Sequence, residues 1–423
     1  MMYRLSDFNL VHREEDKILL YNTLTRKAFT LKQNFIGSFD GLDINHIKFL
    51  LDNKILTDKE DIYDEVIAFR KMRTDSANSR MNIIYTITTK CNLKCDYCFE
   101  NHIERKNIDI KTTEKFLELL DKKIQNNKEI KSINFTVFGG EPLLIIDEVI
   151  KLVRAVKEIS QKHDIGFDGL ITTNGLYEDI EKLALLRSLG ISRLQITFDG
   201  NERINNLRRK NETLNVYKVA LSNLKQYVKH FDIIIKFNFD YGNINYFSEF
   251  LYDLNGLDID KNKYSIRIEA IQNTIAKYDN CIKGNTFELS KAYFDLYKIL
   301  QMYKMRFTTA VFPTPCMVDS RNSFMIDPKG NISSCISAFE IDHFTLGNVN
   351  EINDLEFDRG KFDRTSYVLN NCVEKKCPYI PLCYTGCQYE AYINGNPNSI
   401  ICKREFYDNY FKEYMKFLVS SLG

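Results

Sequence analysis

The chain has 423 residues, 44% hydrophobic and 27% charged, with 7 prolines and no tryptophan. At ~150 residues per domain this length predicts about three domains. The 58 basic and 57 acidic side chains nearly cancel, which removes the electrostatic case for nucleic acid or an anionic membrane surface as partner.

No apolar stretch approaches the ~20 residues that a membrane span needs. The first residues, Met1 to Phe8, lack the apolar core of a signal peptide. The expected compartment is therefore a reducing cytoplasm, where eleven cysteines bind metal more often than they form disulfides.

In chain order, residues 1–80 read as a small β-then-α module. Phe8–Val11, Ile18–Tyr21 and Lys27–Leu31 are short strand candidates, followed by helices over Asn45–Asp52 and Asp61–Met72. In the second helix Ile62, Val66 and Phe69 are spaced for one buried face. From 81 the pattern changes to β-branched runs alternating with amphipathic stretches. Strands are predicted at Met81–Thr88, Ser132–Phe138, Gly166–Thr173, Arg193–Phe198, Ile233–Phe239 and Tyr264–Ala270. Helices are predicted near 111–126, 143–161, 179–189, 214–230 and 244–254. This alternation implies βαβ units and a parallel sheet, whose ligands collect at the carboxyl ends of the strands. A helix over Phe287–Met305 leads to a cysteine-rich region. It ends in an aromatic stripe of Phe406, Tyr407, Tyr410, Phe411, Tyr414, Phe417 and Leu418, read as packing.

Cys91, Cys95 and Cys98 directly follow the first of the six strands, in the spacing C-x3-C-x2-C. Thiolates suit iron–sulfur clusters, which normally take four of them; three leave one iron open to an outside ligand. Zinc sites instead tend to show paired C-x2-C halves and four ligands. After the second strand comes Phe138-Gly139-Gly140-Glu141-Pro142, a turn whose glycines allow close backbone approach and whose proline suits a helix start. After the fourth stands Thr197-Phe198-Asp199-Gly200, with Arg208 and Arg209 downstream. An arginine fork is able to bind a carboxylate bidentately.

These motifs resemble the radical S-adenosylmethionine (SAM) enzymes, whose core is a partial (β/α)6 barrel. The resemblance implies that Cys91, Cys95 and Cys98 hold a [4Fe-4S] cluster and that its open iron binds SAM, which is cleaved to a 5'-deoxyadenosyl radical. It further implies that Gly139, Gly140 and Glu141 hold the SAM amino group, that Thr197 contacts the ribose side, that Arg209 pairs with the carboxylate, and that Tyr97 packs beside the adenine. Arg208 is adjacent to Arg209 and competes for its role. The His-Asp pair usual upstream is Asn205-Asn206 here. Thr173-Asn174-Gly175 also matches. No residue is assigned as a catalytic acid or base.

Seven further cysteines follow the core: Cys316, Cys335, Cys372, Cys377, Cys383, Cys387 and Cys402. Thirteen residues lie between Cys316 and Gly330 and four between Gly330 and Cys335. This is similar to the SPASM signature, except that the later cluster reads C-x4-C-x5-C-x3-C instead of C-x2-C-x5-C-x3-C. The similarity implies two auxiliary [4Fe-4S] clusters, giving three in all. Cys372, Cys377, Cys383 and Cys402 would hold one. Cys316, Cys335 and Cys387 would hold the other, with an open or non-cysteine fourth position that could take a substrate thiolate. Cys281 is read as an ordinary buried thiol.

The N-terminal module resembles PqqD-like elements, which take a leader peptide as an added strand. The expected fold is thus an α/β chain: a recognition module at 1–80, a partial-barrel core at 81–285, a helical bridge at 286–315 and a SPASM domain at 316–423. The expected function is a peptide maturase acting on a ribosomally made precursor, with thioether cross-linking as one outcome and a flavodoxin- or ferredoxin-type reductant as partner. Anaerobic sulfatase maturation is the alternative, weakened because Ile336 stands where those enzymes carry an aspartate base. Peptide epimerisation, carbon–carbon cross-linking and a non-catalytic electron carrier are the others.

Overall fold

The computed structural model describes residues 3–13, 17–32, 43–271, 278, 282, 287–309, 316–362, 368–383 and 385–422; Cys281 lies outside them. The N-terminal strands are β1 (Arg4–Leu5), β2 (Asn9–Arg13), β3 (Lys17–Asn22) and β4 (Lys27–Lys32). Strands β2, β3 and β4 form an antiparallel meander. Its second turn closes on Asn22, whose side-chain oxygen accepts from the Leu24 and Thr25 amides at 3.1 and 2.9 Å. Helix α1 (Ile44–Asp52) starts on the Asp43 side chain and α2 (Ile62–Asn78) on Asp61, short acceptors that satisfy first-turn N–H groups. Between them β5 (Leu56–Thr57) pairs with β1. Helix α2 extends to Asn78, six residues past the predicted end.

The core alternates strand and helix as the sequence pattern requires: β6 (Arg80–Thr88), β7 (Lys94–Cys95), α3 (Ile110–Asn126), β8 (Ser132–Gly139), α4 (Ile146–Lys162), β9 (Gly166–Thr173), α5 (Ile180–Ser188), β10 (Ile191–Phe198), α6 (Glu202–Arg208), β11 (Arg209–Lys210), α7 (Val216–Tyr227), β12 (Asp232–Phe239), α8 (Phe247–Asn255) and β13 (Tyr264–Ala270). Several boundaries shift by a few residues from expectation, two of them with a visible local feature. Residues Pro142–Ile145 form a 3-10 turn before α4, because proline suits a helix start and the Glu141 carboxylate caps the Leu143 amide. Strand β10 begins at Ile191 rather than Arg193, with an irregularity between the two against β9.

Strands β6, β8, β9, β10, β12 and β13 lie side by side and parallel. Each sends alternate side chains to the helix layer, the period-two rule of a strand. Phe198 and Phe237 stack toward Phe250 of α8 at 5.1 and 5.8 Å. The other face, with Thr136, Thr172, Gln195, Thr197, Lys236 and Asn238 half-buried, lines the barrel interior. Fold class is as expected from the sequence: α/β, with a parallel sheet consistent with a partial (β/α)6 barrel.

The sheet does not stop at six strands. After α9 (Phe287–Met302), β14 (Phe307–Thr308) adds beyond β13. From the cysteine-rich region β15 (Ser323–Ile326) joins β6 in parallel, followed by β16 (Asn331–Ser333) and β17 (Thr345–Asn348). The chain ends in α10 (Val368–Glu374), α11 (Ile380–Cys383), α12 (Gln388–Ile393) and α13 (Arg404–Leu422). The aromatic stripe on α13 packs: Tyr410 lies 4.9 Å from Phe294 of α9 and Phe411 lies 5.0 Å from Tyr21 of β3. The N-terminal module is fastened to the same region. Phe8, Ile62 and Val66 cluster with Leu369 and Ile380, and the Thr23 hydroxyl donates to the Pro378 carbonyl at 2.6 Å.

Candidate active site

Strand β6 delivers Cys91, Cys95 and Cys98 to the carboxyl edge of the sheet. Two devices hold the loop. Gly139 (φ 144°) and Gly140 bring the end of β8 against its base: Gly140 N–H donates to Thr88 O and Glu141 N–H to Lys90 O, both at 2.9 Å. A Cβ at either glycine would strike the Thr88 or Lys90 carbonyl, so the close approach needs glycine. On the other side β11 pairs with β7 and sets Arg209 opposite Cys95.

Glu141 is buried, and both its oxygens are engaged. They accept from the Leu143 amide at 3.0 Å, the Asn174 amide at 2.6 Å and the Thr173 hydroxyl at 2.9 and 3.1 Å. A carboxylate offers about four lone-pair sites, so Glu141 acts here as a brace between β8 and β9. Burial lifts its carboxyl from 4.5 to about 7, against the amide donors of Asn174 and Leu143. The folded chain therefore binds a proton more tightly than the unfolded one. That stabilising contribution is complete below pH 4.5 and is lost as pH climbs through about 7. Glu141→Gln removes the titration. Urea unfolding at several pH values should then show wild-type stability falling relative to the variant across that window, and identical pH slopes would contradict the assignment.

The two arginines have separate duties. Arg208 forms a bidentate pair with buried Asp240, at 3.2 and 2.9 Å, and its guanidinium lies 5.2 Å from the centre of the Tyr97 ring. Tyr278 also donates to Asp240, at 2.7 Å. Arg209 instead donates to the Tyr97 hydroxyl at 2.9 Å, which donates on to Asp199 at 2.5 Å. Arg209 Nε and Asp199 Oδ1 are buried without a hydrogen-bond partner, an unusual arrangement that suits a ligand bearing both an acceptor and a donor. Asn205, in place of the histidine expected upstream, accepts from the Asp199 amide at 3.0 Å and so orders this turn. Thr197, two residues before Asp199 on β10, is half-buried on the interior face. No sequence motif marks Asp240 or Tyr278, and Asn205 stands out there only as a departure from the usual histidine. Position alone could have found Asp240, since it directly follows β12 at its carboxyl end.

The described cysteines form no disulfides. Burial raises the Cys91 thiol to about 11, with Glu141 and Cys95 adding to the rise and Arg209 opposing it. Cys98 is pushed up to about 12, again mainly by burial. In the C-terminal region Cys335 is raised by burial and then by Cys316 and Cys387. Cys372 is raised to about 11 by burial and then by Cys377, Cys383 and Cys402. Among the described residues no three Cys, His, Asp or Glu side chains converge on one metal-ion position. The thiols instead gather in three looser neighbourhoods. All-thiol donor sets of this kind fit a cluster of several irons better than a single hard cation.

Behind Cys316, Arg359 donates to the carbonyls of Met317 and Ser323 at 2.8 and 2.6 Å. Phe99, next to Cys98, lies 6.2 Å from Phe138 and 5.8 Å from Phe339. It thus links the first cysteine loop to the segment carrying Cys335. Ile336 packs in that apolar cluster.

Residues 85–242 match the radical SAM superfamily. The chain is 26% identical over 342 residues to a cysteine-type anaerobic sulfatase-maturating enzyme of Clostridium perfringens (strain 13 / Type A), covering 72% of this chain and 88% of that one. The fold is similar to that of native anSMEcpe with bound AdoMet and Kp18Cys peptide, with TM-score 0.59 and 18% identity, covering 81% of this chain and 99% of that one. It is also similar to Streptococcus suis SuiB bound to precursor peptide SuiA, with TM-score 0.55 and 15% identity, covering 94% of this chain and 98% of SuiB. The chain therefore carries a radical SAM domain at 85–242, in a protein related over most of its length to anaerobic sulfatase-maturating enzymes.

Proposed function

We propose that this chain is a radical SAM peptide maturase that modifies a ribosomally made precursor, with thioether formation at a substrate cysteine as the favoured outcome. SAM, when bound and reductively cleaved, supplies a carbon-centred oxidant that removes a hydrogen atom from substrate. The chain's part is to hold and orient. Cys91, Cys95 and Cys98 would hold the SAM-binding cluster. Arg209, set by Tyr97 and Asp199, would hold the SAM carboxylate, and Gly139 and Gly140 bring the β8 end close to the cysteine loop. The grouping of Cys372, Cys377, Cys383 and Cys402 apart from Cys316, Cys335 and Cys387 supports two auxiliary clusters. The second group has three thiols, which leaves a position for a substrate thiolate. A flavodoxin- or ferredoxin-type protein would supply the electron.

The observation that carries the peptide reading is the reach of the fold similarity. The match to SuiB, a protein seen with its precursor peptide, extends over 94% of the chain, against 81% for anSMEcpe. The larger share leaves room for the N-terminal meander, where β2 and β4 are both edge strands among the described residues. Such edges accept a peptide as an added strand. Proline at an outward-facing N–H of β2 or β4 should weaken binding of a leader-like peptide about tenfold, because each lost main-chain bond costs about 1 kcal/mol and the ring obstructs its neighbours. Fluorescence anisotropy with a labelled peptide measures this; unchanged binding in both variants counts against the module's role.

Sulfatase maturation remains the second reading, on the strength of the 26% identity. Mass spectrometry separates the two: formylglycine at a cysteine of a sulfatase-derived peptide supports the second, whereas loss of two hydrogens with a new thioether supports the first. A bare electron carrier would release no 5'-deoxyadenosine from SAM and reductant.

A further inference from the structure

Across the interior face of β10, β12 and β13, Thr197 stands beside Lys236 and Lys236 beside Arg267. One step nearer the carboxyl edge, Asn238 stands beside Glu269. The Glu269 carboxylate pairs with Lys236 Nζ at 2.7 Å and also with the Arg267 guanidinium. Burial opposes ionisation of Glu269, yet Lys236 and Arg267 hold its carboxyl below the ordinary range. One carboxylate is thus shared by two cations. The side chains of Lys236 and Glu269 remain 26% and 21% exposed, so this wall meets whatever enters the barrel. The other end of the barrel sheet is different: Ile84 of β6, Phe138 of β8 and Met325 of β15 are apolar and pack with Phe99 and Phe339.

Lys236 shares its carboxylate with Arg267 and stays partly exposed, so it is able to attract a further anion, and a partly desolvated site strengthens that attraction. We propose that Lys236, assisted by Arg267, determines specificity by taking a side-chain carboxylate of the peptide substrate close to the residue that is modified. Glu269 is the positioning residue that holds both cations against β12 and β13. This rests on the peptide-maturase reading and adds a substrate chemistry to it: an aspartate or glutamate near the reacting residue, with apolar neighbours toward β6 and β8. Thr197, in register with Lys236, places this wall directly beside the residue expected to face SAM.

The test uses the full chain with reconstituted clusters and synthetic peptides that each contain one cysteine. Each of the three positions on either side of that cysteine carries Asp, Asn or Lys in turn. The readout is the peptide-dependent rise in 5'-deoxyadenosine release at low peptide concentration, expressed as the Asp to Asn ratio within one preparation so that any loss of folded protein cancels. At one position the wild-type ratio should be about tenfold, the effect of one charge-assisted hydrogen bond. Lys236→Gln and Arg267→Gln should bring it toward unity, and Lys236→Glu should move the preference to the Lys peptide. Peptide stimulation with no Asp preference, or with a preference unchanged in all three variants, overturns the inference and leaves the maturase reading standing. Absence of stimulation by every peptide, with SAM cleavage intact, overturns both.

Discussion

Arg209→Ala should raise the SAM concentration needed for half-maximal 5'-deoxyadenosine release by about a hundredfold. A charged fork that meets a carboxylate contributes about 1.5–3 kcal/mol, and removing it also strands the Tyr97–Asp199 pair. Arg209→Lys keeps the charge but not the fork geometry, so it should recover only part of the loss. The distinction from Arg208 is the point of the experiment. Nε is buried without a hydrogen-bond partner in both arginines, but the terminal nitrogens of Arg208 are committed to the Asp240 carboxylate by two hydrogen bonds, whereas Arg209 stands opposite Cys95 and donates instead to the neutral Tyr97 hydroxyl. An Arg209→Ala enzyme with unaltered SAM dependence, alongside an Arg208→Ala enzyme with a large loss, would reverse the assignment.

Asp240→Ala should produce the largest stability loss among single substitutions at this edge. Asp240 is fully buried and Arg208 is only 7% exposed. Deleting the carboxylate leaves a guanidinium in the protein interior, and breaking such a pair costs about 3–5 kcal/mol. Tyr278 would lose its acceptor as well. Asp199 lies 3.9 Å from Arg208 Nε, too far to replace a bidentate contact. Urea unfolding would detect the change as a lowered midpoint with an unaltered slope. A loss below about 1 kcal/mol would mean that Arg208 re-pairs with Asp199.

The alternation of strand and helix was readable because β-branched runs such as Ile233–Ile235 and amphipathic stretches such as Phe116–Ile124 have distinct periods. The five predicted core helices and six strands lie close to where the pattern puts them. Continuation of the sheet through β14 and β15–β17 was not readable. Two residues, Phe307 and Thr308, carry no period, and Ser323–Ile326 is fully buried and so does not alternate. At the site, spacing selects the cysteines and the family resemblance points to the arginines, but Arg208 and Arg209 are adjacent and equivalent in sequence. Only the fold shows which one Asp240 claims, because 32 residues separate Arg208 from Asp240. Glu141 shows the converse: the motif is plain, while three of its four hydrogen bonds come from Thr173 and Asn174 at the end of a neighbouring strand. The Lys236–Glu269 pair was invisible because charges on alternate strand positions read as an ordinary solvated face.

Cys91, Cys95 and Cys98 are expected to carry a cluster that SAM joins. Iron and sulfide analysis, with electron paramagnetic resonance of the reduced protein before and after SAM addition, tests it on anaerobically reconstituted chain and on the variant with all three cysteines changed to alanine. The wild type should give a SAM-sensitive signal, and the variant should lose that signal, about a third of the iron and all SAM cleavage. Zinc in place of iron, or a SAM-sensitive signal surviving in the triple variant, would contradict it.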